Sequence, residues 1–239
     1  MALAGAASGQ ATRLDLNIPA YRLSVIRDSS VVRVFRVAVG MRSYPTPTGV
    51  REIDDVTWNP WWHPPRSAWA LSDSTQPPGP DNPMGAVKLF IGGTYYVHGT
   101  PLDQSIGHAA SHGCVRMHQR DAIELARIVL RAQSDSGRAL VQAAPPETTS
   151  VTMEQPLAAP IPITIRYDLT EIRGDSLMLY PDIYRHRRGP PLDAAIAALA
   201  NLGVDTTSIN RTKLGALVRR SARQRVAVRL SSIGVRPPR

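Results

Sequence analysis

Val87-Lys88-Leu89-Phe90-Ile91, then Gly92-Gly93, then Thr94-Tyr95-Tyr96-Val97-His98 reads as two short strands folded about a glycine pair. Two adjacent glycines supply the positive φ angles that a two-residue hairpin turn demands. The hairpin sets the expected character of the fold, which is mostly β. His98 then falls at the end of its strand, just before Gly99, where a side chain can leave the sheet and meet a cleft.

Upstream of the hairpin the pattern repeats. Leu14 to Ile18, Tyr21 to Ile26 and Val31 to Val39 are short, β-branched or alternating, with Asp28-Ser29-Ser30 as a hairpin connection. Tyr44-Pro45-Thr46-Pro47-Thr48-Gly49 cannot be helix, because its prolines remove donors and fix the backbone. Trp58 to Pro65 is irregular and aromatic-rich, and Ser72 to Gly85 is a loop of Pro, Gly, Asp and Ser. Downstream, Ala122, Leu125, Ala126 and Val129 recur with helical spacing, which predicts a helix of about 12 residues from near Gln119. Pro145 to Pro162 reads as a linker or a meandering edge. Ile163 to Tyr167 and Ser176 to Tyr180 read as strands, Pro191 to Ala200 as a helix stopped near Gly203, Asn210 as the start of another, and Arg225 to Leu230 as a last strand.

The chain has 239 residues, 43% of them hydrophobic and 20% charged, a length able to bury its apolar surface without staples. No stretch approaches the roughly 20 consecutive apolar residues of a membrane helix. Met1 to Ala7, MALAGAA, has no basic n-region and does not qualify as a secretory signal. With a single cysteine, Cys114, no internal disulfide can form.

That cysteine lies in Ser111-His112-Gly113-Cys114-Val115-Arg116-Met117, and His98, His108, His112 and His118 bracket it. A thiol becomes nucleophilic when positive charge, a helix-end dipole or an imidazole stabilises its thiolate. Histidines, Arg116 and the following helix offer all three. Gly113 lets the backbone approach a bound carbonyl and point N–H groups at a developing oxyanion. The base must come from elsewhere in the fold, since neighbours in an extended loop point apart. His98 is that candidate, with the Gly99 carbonyl able to fix its tautomer. Two other readings stand beside this one: an inert buried cysteine, or a zinc site built from Cys114, His98, His112 and His118, although the spacing matches no familiar paired Cys/His module.

The string SHGCVRM, preceded by Val97-His98-Gly99-Thr100, resembles the L,D-transpeptidase family with its YkuD-type catalytic domain. Pro45-Thr46-Pro47-Thr48-Gly49, Asn59-Pro60-Trp61-Trp62 and Asn82-Pro83-Met84-Gly85 resemble further family segments in the same order. The likeness runs from about Leu14 to Leu140, and a looser one covers Pro160 to Tyr184. It implies a β-sandwich or open barrel with a helix after the nucleophile loop. It implies Cys114 as nucleophile and His98 as base, with Gly99 orienting His98 and His112 and Gly113 shaping the oxyanion site. Ser111, Arg116 and Tyr96 would touch substrate, although packing is an equal role for Tyr96 and some members carry Asn at the place of Arg116. The implied reaction is acyl transfer on peptidoglycan tetrapeptide stems. Cys114 releases D-alanine, and an amine then resolves the thioester, cross-linking stems or anchoring an envelope lipoprotein. Water as acceptor would make a carboxypeptidase instead. A non-catalytic envelope-binding module is the competing class, which intact Cys114, His98 and Gly113 disfavour. No metal or organic cofactor is implied, carbapenems are expected acylating agents, and the expected location is the periplasm or cell envelope.

The expected division is a catalytic domain over residues 12–145 and a small α/β extension over 146–239. From Arg185 to Arg239 there are 12 Lys/Arg against Asp193 and Asp205, while the rest of the chain is near neutral, so this segment carries the whole net charge of +9. Such a segment seeks polyanions, and an acidic envelope polymer is the expected partner if it is more than a solvated tail. Nucleic acid is not expected, because the segment lacks the aromatic interleaving of a single-strand platform.

Overall fold

The computed structural model describes residues 11–133, 137–145 and 150–235. Met1 to Ala7 lie outside them. The chain divides into two compact units, residues 1–16 with 21–166 and residues 17–20 with 167–239.

The first unit is mostly β. Its strands are β1 (Thr12–Asn17), β2 (Arg22–Arg27), β3 (Ser30–Arg36), β4 (Val39–Gly40), β5 (Gly49–Trp58), β6 (Val87–Phe90), β7 (Tyr96–Thr100), β8 (Ala109–Ser111), β9 (Val115–His118) and β10 (Met153–Arg166). Eight of them form one sheet in the order β3-β2-β1-β10-β5-β6-β7-β9, and β4 pairs with β8 separately. The helix foreseen after the cysteine is α1 (Gln119–Arg131), and α2 (Gly137–Ala143) follows it.

Three expectations change. The hairpin joining β6 to β7 does not turn on Gly92-Gly93. Tyr95 N–H donates to the Gly92 carbonyl at 3.2 Å and Ile91 N–H to the Tyr95 carbonyl at 3.1 Å, so the turn centres on Gly93-Thr94. The ladder therefore pairs Lys88 with His98 and Phe90 with Tyr96. His98 is the third residue of five in β7 and not the last, because parallel pairing with β9 carries the strand on to Thr100. The Pro145–Pro162 stretch is no linker, since from Met153 it is β10, seated between β1 and β5. Of its three prolines, Pro160 falls inside the break in register with β5 between Pro156 and Ile161, a bulge where a ladder donor is not required, while Pro156 and Pro162 flank it opposite Asp55 and Glu52. Residues 150–166, read from the sequence as the start of the extension, thus belong to the first unit.

α1 packs on β6, β7 and β9, burying Ala122, Leu125, Ala126, Val129 and Leu130. Val87, Leu89, Val97, Val115 and Met117 are buried from the sheet side. Each such aliphatic side chain contributes about 1.5–3 kcal/mol. Strand alternation then sends the intervening residues, Lys88, Tyr96, His98 and Arg116, to the opposite face. The helix side of the sheet is the core, and the other side is left for chemistry.

The second unit is the expected small α/β unit. β11 (Thr170–Arg173), β12 (Ser176–Leu179) and β13 (Val226–Arg229) form an antiparallel sheet in that order. With α3 (Pro191–Asn201) and α4 (Arg211–Ser221) they enclose a core that includes Leu177, Leu199, Leu214, Val226 and Leu230. Asn210 caps α4, its side chain accepting from Lys213 N–H at 2.9 Å.

Candidate active site

Cys114 ends the loop between β8 and β9, and both sides of that loop are tied down. The Ser111 carbonyl accepts from Met41 N–H at 2.8 Å. On the other side β9 runs parallel to β7, with Val115 opposite Val97 and Arg116 opposite His98. In the middle, Thr46 Oγ donates to the Gly113 carbonyl at 2.9 Å and accepts from Gly40 N–H at 2.8 Å. Thr46 is 2% exposed, so its hydroxyl is a fixed strut under the loop.

Parallel register brings the Cys114 and His98 strands side by side, with both side chains on the face away from α1. His98 is 3% exposed. Its Nδ1 lies 2.6 Å from the Gly99 carbonyl, which fixes the proton on Nδ1 and leaves Nε2 with its lone pair. Burial, then Arg116 and Lys88 on the flanking strands, lower the imidazole to about 4, against partial restoration by the Gly99 and Met84 carbonyls. The ring is therefore neutral at neutral pH. A Cβ at Gly99 would displace the Gln119 carboxamide at the start of α1, which accepts from Ala86 N–H at 3.1 Å.

The thiol keeps part of its surface exposed. Burial raises its pKa, while the Tyr96 backbone N–H and the Arg116 guanidinium work the other way. Sγ also lies 3.8 Å from the Thr94 carbonyl. A raised thiol beside a lowered imidazole is a resting pair in which both are neutral.

The remaining predicted residues take distinct places. Ser111 is buried, its Oγ accepting from Gly113 N–H at 3.1 Å and donating to the Cys114 carbonyl, so it braces the loop. Gly113 adopts φ 110°, and a Cβ there would lie 2.6 Å from Tyr95 Cε1. His112 stacks on Trp69 with ring centroids 3.9 Å apart and meets Tyr44 edge-on at 4.8 Å. Arg116 donates to the Ala110 carbonyl at 3.3 Å. Tyr96 lies under Lys88, whose Nζ is 4.8 Å from the ring centroid. His118 pairs with Asp103 at 2.7 Å, and among the described residues no three His, Cys, Asp or Glu side chains converge as a metal would need. The zinc alternative therefore finds no ligand set.

Sequence reading missed Thr46, Tyr95 and Gln119. Thr46 sat inside a quoted motif whose spacing gave no sign of its partner, since Gly113 is 67 residues away. No local pattern distinguished the other two.

The fold and the site together describe a β-scaffold protein whose one cysteine and a buried histidine lie on the same face of neighbouring parallel strands. Residues 11–153 match the family model described as the L,D-transpeptidase catalytic domain, YkuD, and the chain belongs to this family. It is 35% identical over 102 residues to the Escherichia coli K12 protein named "Probable L,D-transpeptidase ErfK/SrfK", covering 39% of this chain and 33% of that one. Against YkuD of Bacillus subtilis 168 it is 34% identical over 115 residues, 48% of this chain and 58% of that one. The chain thus spans about a third to three fifths of these relatives. Among solved structures, the catalytic domain of the Enterococcus faecium L,D-transpeptidase aligns at TM-score 0.43 and 13% identity, covering 66% of this chain and 98% of that one.

Proposed function

We propose that the protein is a peptidoglycan L,D-transpeptidase working through a thioester on Cys114. The observation that carries the reading is the sole thiol and a buried, neutral imidazole on one face of adjacent parallel strands, with the imidazole's Nδ1 proton committed to Gly99. His98 Nε2 takes the Sγ proton as the sulfur attacks the carbonyl before the terminal D-residue of a tetrapeptide stem. The C–N bond breaks, and the imidazolium returns that proton to the departing D-alanine amine. An acceptor amine then attacks the thioester, passes a proton to His98 and expels the thiolate. Proton and nucleophile are transferred together, because neither the thiolate nor the imidazolium is favoured at rest.

Gly113 N–H is held by Ser111, so the oxyanion donor we assign is Cys114 N–H. Gly113 contributes the open approach path, and His112, clamped by Trp69, holds the loop. Arg116 and Tyr96 line the same face, Arg116 favouring the thiolate as it develops. A diamino-acid side chain, an envelope lipoprotein lysine or water would serve as acceptor. No cofactor enters this scheme. A peptidoglycan substrate supports a location in the periplasm or cell envelope; among the described residues no helix is long and apolar enough to cross a membrane. A second contact, with an acidic envelope polymer, is supported by a surface cleft of about 500 Å³ lined by Arg219, Arg220, Arg223 and Gln224.

Intact mass after incubation with a carbapenem tests the reading, wild type against Cys114→Ala. One adduct on wild type and none on the variant is expected, with D-alanine released from tetrapeptide stems by wild type alone. No adduct on wild type would favour the non-catalytic module.

A further inference from the structure

Among the described residues, one cation near the nucleophile loop carries a buried donor with no partner. Arg51, on β5, reaches the turn between β6 and β7, where its Nη1 donates to the Ile91 carbonyl at 3.3 Å. Its Cζ lies 5.5 Å from the centroid of the Tyr95 ring. The edge of that same ring closes on Gly113, where a Cβ would stand 2.6 Å from Cε1. The guanidinium is therefore separated from the nucleophile loop by one aromatic ring. Arg51 Nε is buried and has no hydrogen-bond partner, and among the described residues no carboxylate pairs with it. The neighbouring cations differ: Lys88 feels both Asp55 and Glu154, and Arg116, though it faces no carboxylate among the described residues, donates to the Ala110 carbonyl and leaves no buried donor unmatched.

A half-buried guanidinium without a counter-ion gives up hydration and receives one carbonyl in exchange. Its planar fork matches a carboxylate better than any other common anion on a peptide. We propose that Arg51, presented over Tyr95, binds the terminal carboxylate of the acyl donor. This rests on the acyl-transfer reading above and deepens it. In a tetrapeptide cut before its last residue, that carboxylate is only three bonds beyond the attacked carbon, under about 4 Å away by backbone dimensions. A donor longer by one residue carries a neutral amide at the same point and leaves Arg51 unpaired. Arg51 thus selects donors that end one residue past the attacked bond.

Binding to the Cys114→Ala protein tests this without turnover. The probes are a tetrapeptide stem with a free terminal carboxylate and the same peptide amidated at that end. Calorimetry should show the free acid binding about 10- to 100-fold more tightly, the size of a lost charge-assisted hydrogen bond. Adding Arg51→Gln should bring the two affinities together, while Arg51→Lys should keep part of the difference, having the charge without the fork. Thermal melting of each variant checks folding, and should Arg51→Gln not fold, the partial loss in Arg51→Lys carries the test. An undiminished preference in either folded variant, or no preference in the parent, overturns the proposal. Wild-type acylation by the same peptides is followed in parallel. An Arg51-dependent preference without any acyl adduct keeps the subsite and sinks the transpeptidase reading. Adduct formation indifferent to the terminal carboxylate does the reverse, and binding of neither peptide overturns both.

Discussion

His98 and Cys114 are each pushed by burial toward their neutral forms, the imidazole down to about 4 and the thiol upward. A base must be unprotonated to act, so the active form of His98 persists as pH falls and is lost only near 4, where an ordinary histidine would be half lost at about 6.5. Carbapenem acylation of wild type, followed by mass across pH, should therefore hold down to about pH 5 and fall below it. Arg116 lies opposite His98 and lowers both groups. In Arg116→Met the acid limb should move upward, remaining below 6.5 because burial is the larger cause. The rate at pH 7 should also drop, as the developing thiolate loses its cation. An acid limb at 6.5 in wild type would mean that the imidazole is not buried as described.

Among elements, the turn of the β6–β7 hairpin decides the face on which every β7 side chain lies. A two-residue Gly92-Gly93 turn would have set His98 against Val87, and the observed turn sets it against Lys88. One residue of slip would exchange the core and chemical faces. The loop carrying Cys114 depends in the same way on a distant partner. Thr46→Val keeps the shape of the side chain and removes its hydroxyl, leaving the Gly113 carbonyl and Gly40 N–H without it. Buried groups left unpaired cost about 1–3 kcal/mol. Urea unfolding should show a loss of that size, and carbapenem acylation should slow by about tenfold or more at temperatures where the variant is still folded. Unchanged acylation in a destabilised Thr46→Val protein would make Thr46 a fold residue only.

On the scale of the whole molecule, the described basic residues from Arg185 to Arg229 lie on a unit with its own core, not on a loose tail. Truncation after residue 185 would remove α3, α4 and β13 together, so charge substitution is the cleaner probe. Arg219, Arg220 and Arg223 are exposed and line one cleft. Replacing all three by Gln should leave thermal stability nearly unchanged and weaken retention on isolated sacculi. The salt dependence of that retention should flatten, since each lost contact removes a screened attraction. Equal retention at low and high salt in wild type would rule out the polyanion contact.

Local chemistry was enough for much of this. Glycine pairs and alternation marked the hairpin strands, apolar spacing marked α1 and α3, and Asn210 marked the start of α4, because each signal lies within a few residues of its effect. The string from Ser111 to Met117 and the lone thiol marked Cys114 as a candidate nucleophile, and the family resemblance favoured that reading over an inert or metal-held cysteine. Tertiary structure alone decided that Pro-rich residues 153–166 form a central strand, since its partners β1 and β5 come from distant parts of the chain. It also decided the register that opposes His98 to Lys88 and Arg116, the strut from Thr46 to Gly113, and the approach of Arg51 to Tyr95. Those contacts join residues 10 to 67 positions apart, and their energy comes from burial and pairing that no local stretch of sequence contains.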